Sequence, residues 1–280
     1  MMQSSDDVGV AIAPLFVPAT RPERFAKAAQ SGADAIIIDL EDAVAAADKD
    51  AAREGLAGRE LPPVPLILRV NGIGTPWHEK DLAMAAALPF DAVMLPKSET
   101  AGDIASVRAL IGSKPIMALV ETARGVAEAA AIARSDGVER LAFGSVDFCS
   151  DLGCAHEWDA LLHARSAIIL ASRVAGIAAP IDGVTLQLDD DAQAGEDARK
   201  ASALGFTGKL CIHPRQVRPV LAGFTPRAEE VEWAQRVAGV GDQGAVSVDG
   251  LMVDPPVLRR ARQILARAQI TGSGNHSRTL

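Results

Sequence analysis

Eight short apolar runs recur along the 280-residue chain, and their period restricts its architecture more than any other feature. The runs lie at residues 8–16, 35–39, 64–70, 91–95, 115–120, 140–143, 178–181 and 209–212. Most are nearly continuous apolar stretches (AIIIDL, LILRV, AVMLP, IMALV), as expected of parallel strands covered on both faces. Between them lie Ala-rich, charge-bearing segments such as PERFAKAAQ and EWDALLHARSAIILASRVA, with the length and composition of crossover helices. Eight strands alternating with helices predict an α/β fold, a closed (β/α)8 TIM barrel. The rival is an open doubly wound sheet, which would carry a G-x-G-x-x-G turn after its first strand. None stands there.

The polar residues at the ends of the runs favour the barrel. Glu41, Arg69, Lys97, Glu121, Asp147, Asp182 and His213 follow one another at intervals of 24 to 35 residues, about one β/α unit each. A barrel collects residues of that period on its C-terminal rim, where active sites form. The plainer reading is that any strand must end in something polar. The barrel is expected to span residues 1–223. Residues 224–270 read as a helical or flap extension in which the SVDG and LMVD pieces form a hairpin or a flap, and 271–280 as a disordered tail.

Charge and cysteine usage exclude several classes of function. The chain has 28 Lys and Arg against 36 Asp and Glu, a formal charge of −8, without basic clusters. It therefore lacks the footprint of a nucleic-acid binder. No apolar run approaches the ~20 residues of a membrane span. Residues 1–8 are polar and acidic, unlike a signal peptide. Three cysteines, an odd number, fit a reducing compartment better than a disulfide framework. The expectation is a cytoplasmic globule.

Among the rim residues, Glu121 and Asp147 are the sharpest pair. Each is read as closing one of two consecutive strands, which would stand about 4.8 Å apart. With no Cys or His beside them, the donors are all oxygen, which suits Mg2+ or Mn2+. Alternatively each pairs with an Arg or caps a helix. The segment IIIDLEDAV crowds Asp39, Glu41 and Asp42 together, so a cation or bases are needed nearby. Asp42 is read as a helix cap, and Glu41 or Asp42 as a group orienting water at a metal. Arg69 either grips a substrate carboxylate through two parallel hydrogen bonds or forms a structural salt bridge to Glu41 or Glu99. Lys97 suits a Schiff base, which would leave the acidic pair superfluous. His213 is a general base or a packed histidine, and the cysteines are bystanders.

Several segments together resemble the citrate lyase β-subunit-like family of the HpcH/HpaI aldolase superfamily. They are LFVPATRPERFAKA, DLEDAV, LRVNGIGTPWHEKDL, VMLPKSE, ALVETARG, LAFGSVDFCSDLG, GKLCIHPRQV and DGLMVDPP, in order from about residue 15 to 255. The resemblance implies a trimeric or hexameric barrel that makes or breaks a C–C bond between an acyl thioester and a 2-oxo acid. It implies Glu121 and Asp147 as Mg2+ ligands, Arg69 as the substrate-binding arginine, and Glu41 and Asp42 around the metal's waters. It also implies that Asp254 reaches a neighbouring subunit's active site. Ala43 departs from the glycine many relatives carry there. Arg21, Arg24 and Lys27 are the basic group near the rim and the candidates for CoA phosphates, since no P-loop is present.

The expected activity is Mg2+-dependent cleavage of a malyl- or citramalyl-CoA type 3-hydroxyacyl thioester into acyl-CoA and a 2-oxo acid. The rivals are a citrate lyase β subunit acting on carrier-bound citryl, a class II aldolase on free hydroxy-oxo acids, a malyl-CoA thioesterase, and a non-catalytic CoA-thioester binder.

Overall fold

A computed structural model describes residues 6–239, 246–248 and 251–276. The chain divides into two compact units, Met1–Val220 and Leu221–Leu280.

The first unit opens with the short helix α1 (Asp6–Val10) and then alternates strand and helix. In order come β1 (Leu15–Pro18), α2 (Phe25–Gln30), β2 (Ile36–Asp39), α3 (Lys49–Glu54), β3 (Leu66–Arg69) and α4 (His78–Ala87). Next are β4 (Ala92–Leu95), α5 (Ala101–Ile111), β5 (Ile116–Val120), α6 (Ala123–Ala127), α7 (Ala129–Ala133) and β6 (Val138–Phe143). The unit continues with α8 (Ser145–Leu152), α9 (Trp158–Ala175), β7 (Ala178–Asp182), α10 (Asp191–Leu204) and β8 (Gly208–Lys209). Helix α11 (Pro214–Phe224) crosses the boundary between the units.

The eight strands pair in parallel in strict chain order, β1 to β8. Closure back onto β1 comes from a parallel bridge between Leu15 and Cys211. The Phe16 amide donates to the Cys211 carbonyl at 2.9 Å, and the Cys211 amide to the Pro14 carbonyl at 2.9 Å. The fold is therefore the closed barrel. β2, β3, β4 and β5 are buried at every residue, which is why their sequences run apolar without alternation. Side chains from alternate positions, among them Ile37, Ile67, Met94, Met117, Leu119 and Ile181, fill the interior. The helices face the sheet with one stripe. In α9, Leu161, Ala164, Ile168 and Ala171 are buried at three- and four-residue spacing.

The first apolar run is not a strand throughout. Residues 6–10 are helical and the strand begins only at Leu15. Val8 and Ala11 are buried with the interior residues. The fully buried Arg140 ties this segment down by donating to the Ala11 carbonyl at 2.6 Å and the Val8 carbonyl at 3.3 Å. The run is apolar because it plugs the N-terminal end of the barrel, a burial demand that mimics a strand. Gly208 permits the close approach of the last strand, for a Cβ there would lie 2.8 Å from the Ala11 carbonyl oxygen.

The second unit holds α12 (Ala228–Gly239), an antiparallel hairpin of β9 (Val246–Val248) and β10 (Leu251–Val253), and α13 (Pro255–His276). Of the hairpin and the flap open to these pieces, the structure has the hairpin; its connecting residues 249–250 lie outside the described residues. Ala234, Val237, Val253, Leu258, Ala261 and Ile264 form a core of their own. Helix α13 runs to His276, into the stretch read as a disordered tail, because the turn-forming Gly and Ser residues there do not stop the preceding helical register. Residues 277–280 lie outside the described residues. Among the described residues, no helix is long and apolar enough to cross a membrane.

Candidate active site

The C-terminal ends of the strands surround a cavity of about 410 Å³. Asp39, Asp42, Arg69, Glu121, Ser145 and Asp147 supply its polar lining, and Phe16, Leu119, Phe143 and Leu210 its apolar wall.

Parallel register sets the first interaction. Asp39 at the end of β2 stands opposite Arg69 at the end of β3. Arg69 Nε and Nη2 donate to the two Asp39 oxygens, each at 2.7 Å, the two-pronged geometry of a strong guanidinium–carboxylate pair. Arg69 Nη1 lies 3.0 Å from Glu41 Oε2 and 3.5 Å from Asp42 Oδ2. The partner of Arg69 is thus Asp39 first and Glu41 second, and Glu99 pairs with Arg124 instead. Burial disfavours the charged guanidinium, but Asp39, Glu41 and Asp42 more than offset it and hold its pKa above the ordinary value.

Asp39 also orders the acidic loop. Its oxygens accept from the amides of Glu41 at 2.8 Å and Ala43 at 3.1 Å. From below, the buried Lys49 donates to the carbonyls of Leu40 at 2.9 Å and Glu41 at 2.8 Å. Asp42 does not cap the following helical turn, whose N-cap is Ala45. It is exposed at the rim.

Glu121 follows β5 immediately and is 2 % exposed. Its Oε1 accepts from the Lys97 amide at 2.7 Å. Burial, aided by the charges of Glu41 and Asp147, pushes its pKa up to about 8 against the opposing pull of Lys97 and Arg69. Gly144 makes room for it, since a Cβ at that position would stand 2.3 Å from Glu121 Oε2. Asp147 does not end a strand. It lies in the first turn of α8, with its side chain 40 % exposed. The register of β6 ends at Phe143, and the chain turns through Gly144 directly into the helix.

Lys97 stands among the acids. Its Nζ lies 2.6 Å from Glu41 Oε1, 3.8 Å from Glu121 Oε1 and 3.7 Å from Asp147 Oδ2. Burial would lower its pKa, but Glu41, Glu121 and Asp42 raise it above the ordinary value. Its surroundings favour the ammonium, whereas a Schiff-base nucleophile must be neutral.

Five of the seven periodic residues therefore gather at one place. The other two do not. Asp182 is fully buried, 2.8 Å from Arg165 Nε and 3.2 Å from Lys209 Nζ. His213 Nδ1 accepts from the Arg215 amide. Arg21 and Arg24 lie beyond β1 on a 3-10 turn beside Glu23, at 2.6 and 4.0 Å, and with Lys27 they are exposed. Asp254 belongs to the second unit, where its Oδ1 accepts from the Val257 amide at 3.0 Å as the N-cap of α13. Two contacts carry no sequence signal: the Lys49 brace, and the 2.9 Å hydrogen bond between Ser145 Oγ and His156 Nε2 at the cavity wall.

The donors suit a hard cation. Glu121 and Asp147 offer only oxygen, and the buried Glu41 Oε2 has no aligned hydrogen-bond donor despite its proximity to Arg69. Among the described residues no group of three or more acids, histidines or cysteines is arranged to enclose an ion. A Mg2+ held by two carboxylates would have positions left for substrate and water.

The C-terminal rim of this parallel barrel thus gathers several acids with one arginine and one lysine. The chain belongs to the HpcH/HpaI aldolase/citrate lyase family, whose model matches residues 13–214. It is 41 % identical over 263 residues to a citrate lyase subunit beta-like protein of Mycobacterium tuberculosis, covering 91 % of this chain and 94 % of that one. It is 34 % identical over 268 residues to a (3S)-malyl-CoA thioesterase of Cereibacter sphaeroides, covering 91 % and 93 %. Among solved structures, CitE of Mycobacterium tuberculosis in complex with magnesium, acetoacetate and coenzyme A superposes with a TM-score of 0.84. That match is 39 % identical and covers 93 % of this chain and 99 % of the other.

Proposed function

We propose that this protein is a Mg2+-dependent carbon–carbon lyase that cleaves a 3-hydroxyacyl-CoA of the citramalyl or malyl type into an acyl-CoA and a 2-oxo acid. The observation that carries the reading is the gathering of Glu121, Asp147 and Arg69 around one cavity at the barrel's C-terminal end, with Glu41 beside Arg69. The CitE complex with magnesium, acetoacetate and coenzyme A supports it.

Glu121 and Asp147 would hold the Mg2+, which when bound supplies Lewis-acid polarisation of the substrate's hydroxyl and carboxylate. Arg69, fixed in orientation by Asp39, stabilises the negative charge that develops as the C–C bond breaks. Glu41, beside Arg69, would orient water at the metal, and burial together with Asp42 raises its pKa against the pull of Arg69 and Lys97. Asp42 orders water at the mouth of the cavity. The apolar wall of Phe16, Leu119 and Phe143 excludes bulk water and strengthens these electrostatic contacts. Arg21, Arg24 and Lys27 are assigned to the CoA phosphates. Asp254 is assigned the proton at the enolate carbon, the role implied by its MVDPP segment. That assignment requires a trimer or hexamer, so a monomer in sedimentation overturns it. A cytoplasmic location accords with the three free thiols.

The test is to incubate the protein and Mg2+ with malyl-, citramalyl- and citryl-CoA and identify the 2-oxo acids released. Glu121→Ala and Asp147→Ala each lower metal-dependent turnover by more than about 100-fold, beyond the roughly 10–100-fold usual for outer-sphere partners. Full turnover in either variant removes the assignment. A thioesterase is the second reading, supported by the malyl-CoA thioesterase relative. Free CoA released with malate and without a 2-oxo acid would establish it instead.

A further inference from the structure

We propose that the Lys97 ammonium is the resident counter-ion of the carboxylate cluster and competes with a divalent cation for it. The inference rests on the reading that Glu121 and Asp147 hold Mg2+.

Three carboxylates face this one ammonium, Glu41 at 2.6 Å, Asp147 at 3.7 Å and Glu121 at 3.8 Å. Acids so close repel one another unless a cation lies between them, and Lys97 is the cation in place. The placement is built into the backbone. Among the described residues Lys97 is the sole non-glycine with positive φ, at 49°, a conformation that L side chains disfavour. In return its amide faces Glu121 Oε1 at 2.7 Å while its side chain reaches Glu41. One residue thus grips the cluster from two sides.

The second cation, Arg69, cannot exchange in this way. Its side chain is 11 % exposed and is locked to Asp39 by two hydrogen bonds, whereas that of Lys97 is 45 % exposed on a flexible stem. Lys97 thus has a path to solvent that Arg69 lacks. A dication arriving at Glu121 and Asp147 meets the ammonium's repulsion and must either displace it or tolerate it. Either course weakens metal binding. Lys97 therefore stabilises the metal-free site and sets the concentration of Mg2+ at which the site fills.

Calorimetric titration with Mg2+ alone, on wild type, Lys97→Met and Lys97→Arg, tests the inference. Methionine keeps the backbone amide and the stem while removing the charge. Lys97→Met is expected to bind Mg2+ about tenfold more tightly or better, and to melt at a lower temperature than wild type in chelator. Lys97→Arg is expected to stay within about threefold of wild type, because the charge remains. If Lys97→Met folds only with metal, it is prepared Mg2+-loaded and its affinity read by chelator competition. Equal or weaker Mg2+ binding in Lys97→Met, with wild type binding normally, overturns the inference alone. Mg2+ binding by neither protein overturns the metal reading and the inference with it.

Discussion

At Gly144 the site depends on a missing atom. The Cβ of any other residue would fall 2.3 Å from Glu121 Oε2 and 2.4 Å from Glu121 Cβ, well inside van der Waals contact. Gly144→Ala should therefore push the Glu121 carboxylate from its place while the barrel still folds. We expect weaker Mg2+ binding by titration and an unchanged far-UV circular dichroism spectrum. Unaltered metal affinity would show that Glu121 is not the ligand. The residue types at this site were legible in the sequence, since Glu41, Arg69, Lys97, Glu121 and Asp147 all fall on the β/α period. Their pairing was not. Asp39 emerges as the main partner of Arg69 only once β2 and β3 are in register, and register is a property of two strands that neither carries alone. Lys97 read as a potential nucleophile because its neighbours lie 56 and 24 positions away in the chain.

Strands β7 and β8 are joined by an ionic triad rather than by an extended ladder. β8 has two residues, and its Lys209 meets Asp182 of β7 beside Arg165 of α9. Burial alone would raise the Asp182 pKa, but Lys209 and Arg165 hold it below the ordinary value. A depressed carboxyl pKa adds stability above its unfolded value and loses it as the pH falls through the folded one. Asp182→Asn is thus expected to cost about 3 kcal/mol near neutrality, typical of leaving buried charges unpaired. The deficit should narrow as the pH falls below the ordinary Asp pKa of about 3.9, where the unfolded wild-type chain takes up the proton that folded Asp182 resists. Urea melts at pH 7 and pH 3.5 measure it, and a deficit that stays constant contradicts the account. Elements were legible where apolar runs coincide with strand pairing, as in β2 to β5. They were misread where another demand produced the same composition: the barrel plug at Val8 and Ala11, and Asp147, which the sharp turn at Gly144 carries onto a helix.

At the scale of the whole molecule, the buried cluster inside the barrel and the one that joins α12, β10 and α13 share no residue among those described. Ile264 is 2 % exposed in the second, and Ile264→Ala should cost about 2–5 kcal/mol there. Hydrogen exchange is expected to quicken over α12 and α13 and to keep its wild-type rate in β2 to β5. Equal acceleration in both regions would show the cores to be one cooperative block. The formal charge of −8 describes partners less well than placement does, since several acids stand on one rim around an arginine and a lysine.

The seam between β8 and β1 has a consequence for how the chain acquires its fold. Leu15 and Cys211, nearly two hundred residues apart, meet in a single bridge, whereas each neighbouring strand pair from β1 to β7 joins segments one β/α unit apart. Non-local pairings bear their loop entropy before they gain contacts. During synthesis the first seven strands can associate in turn as they emerge, but closure must wait until Cys211 has left the ribosome. Until then β1 and the growing end of the sheet both present unpaired edges, and the nascent chain is most exposed to wrong strand partners in that interval.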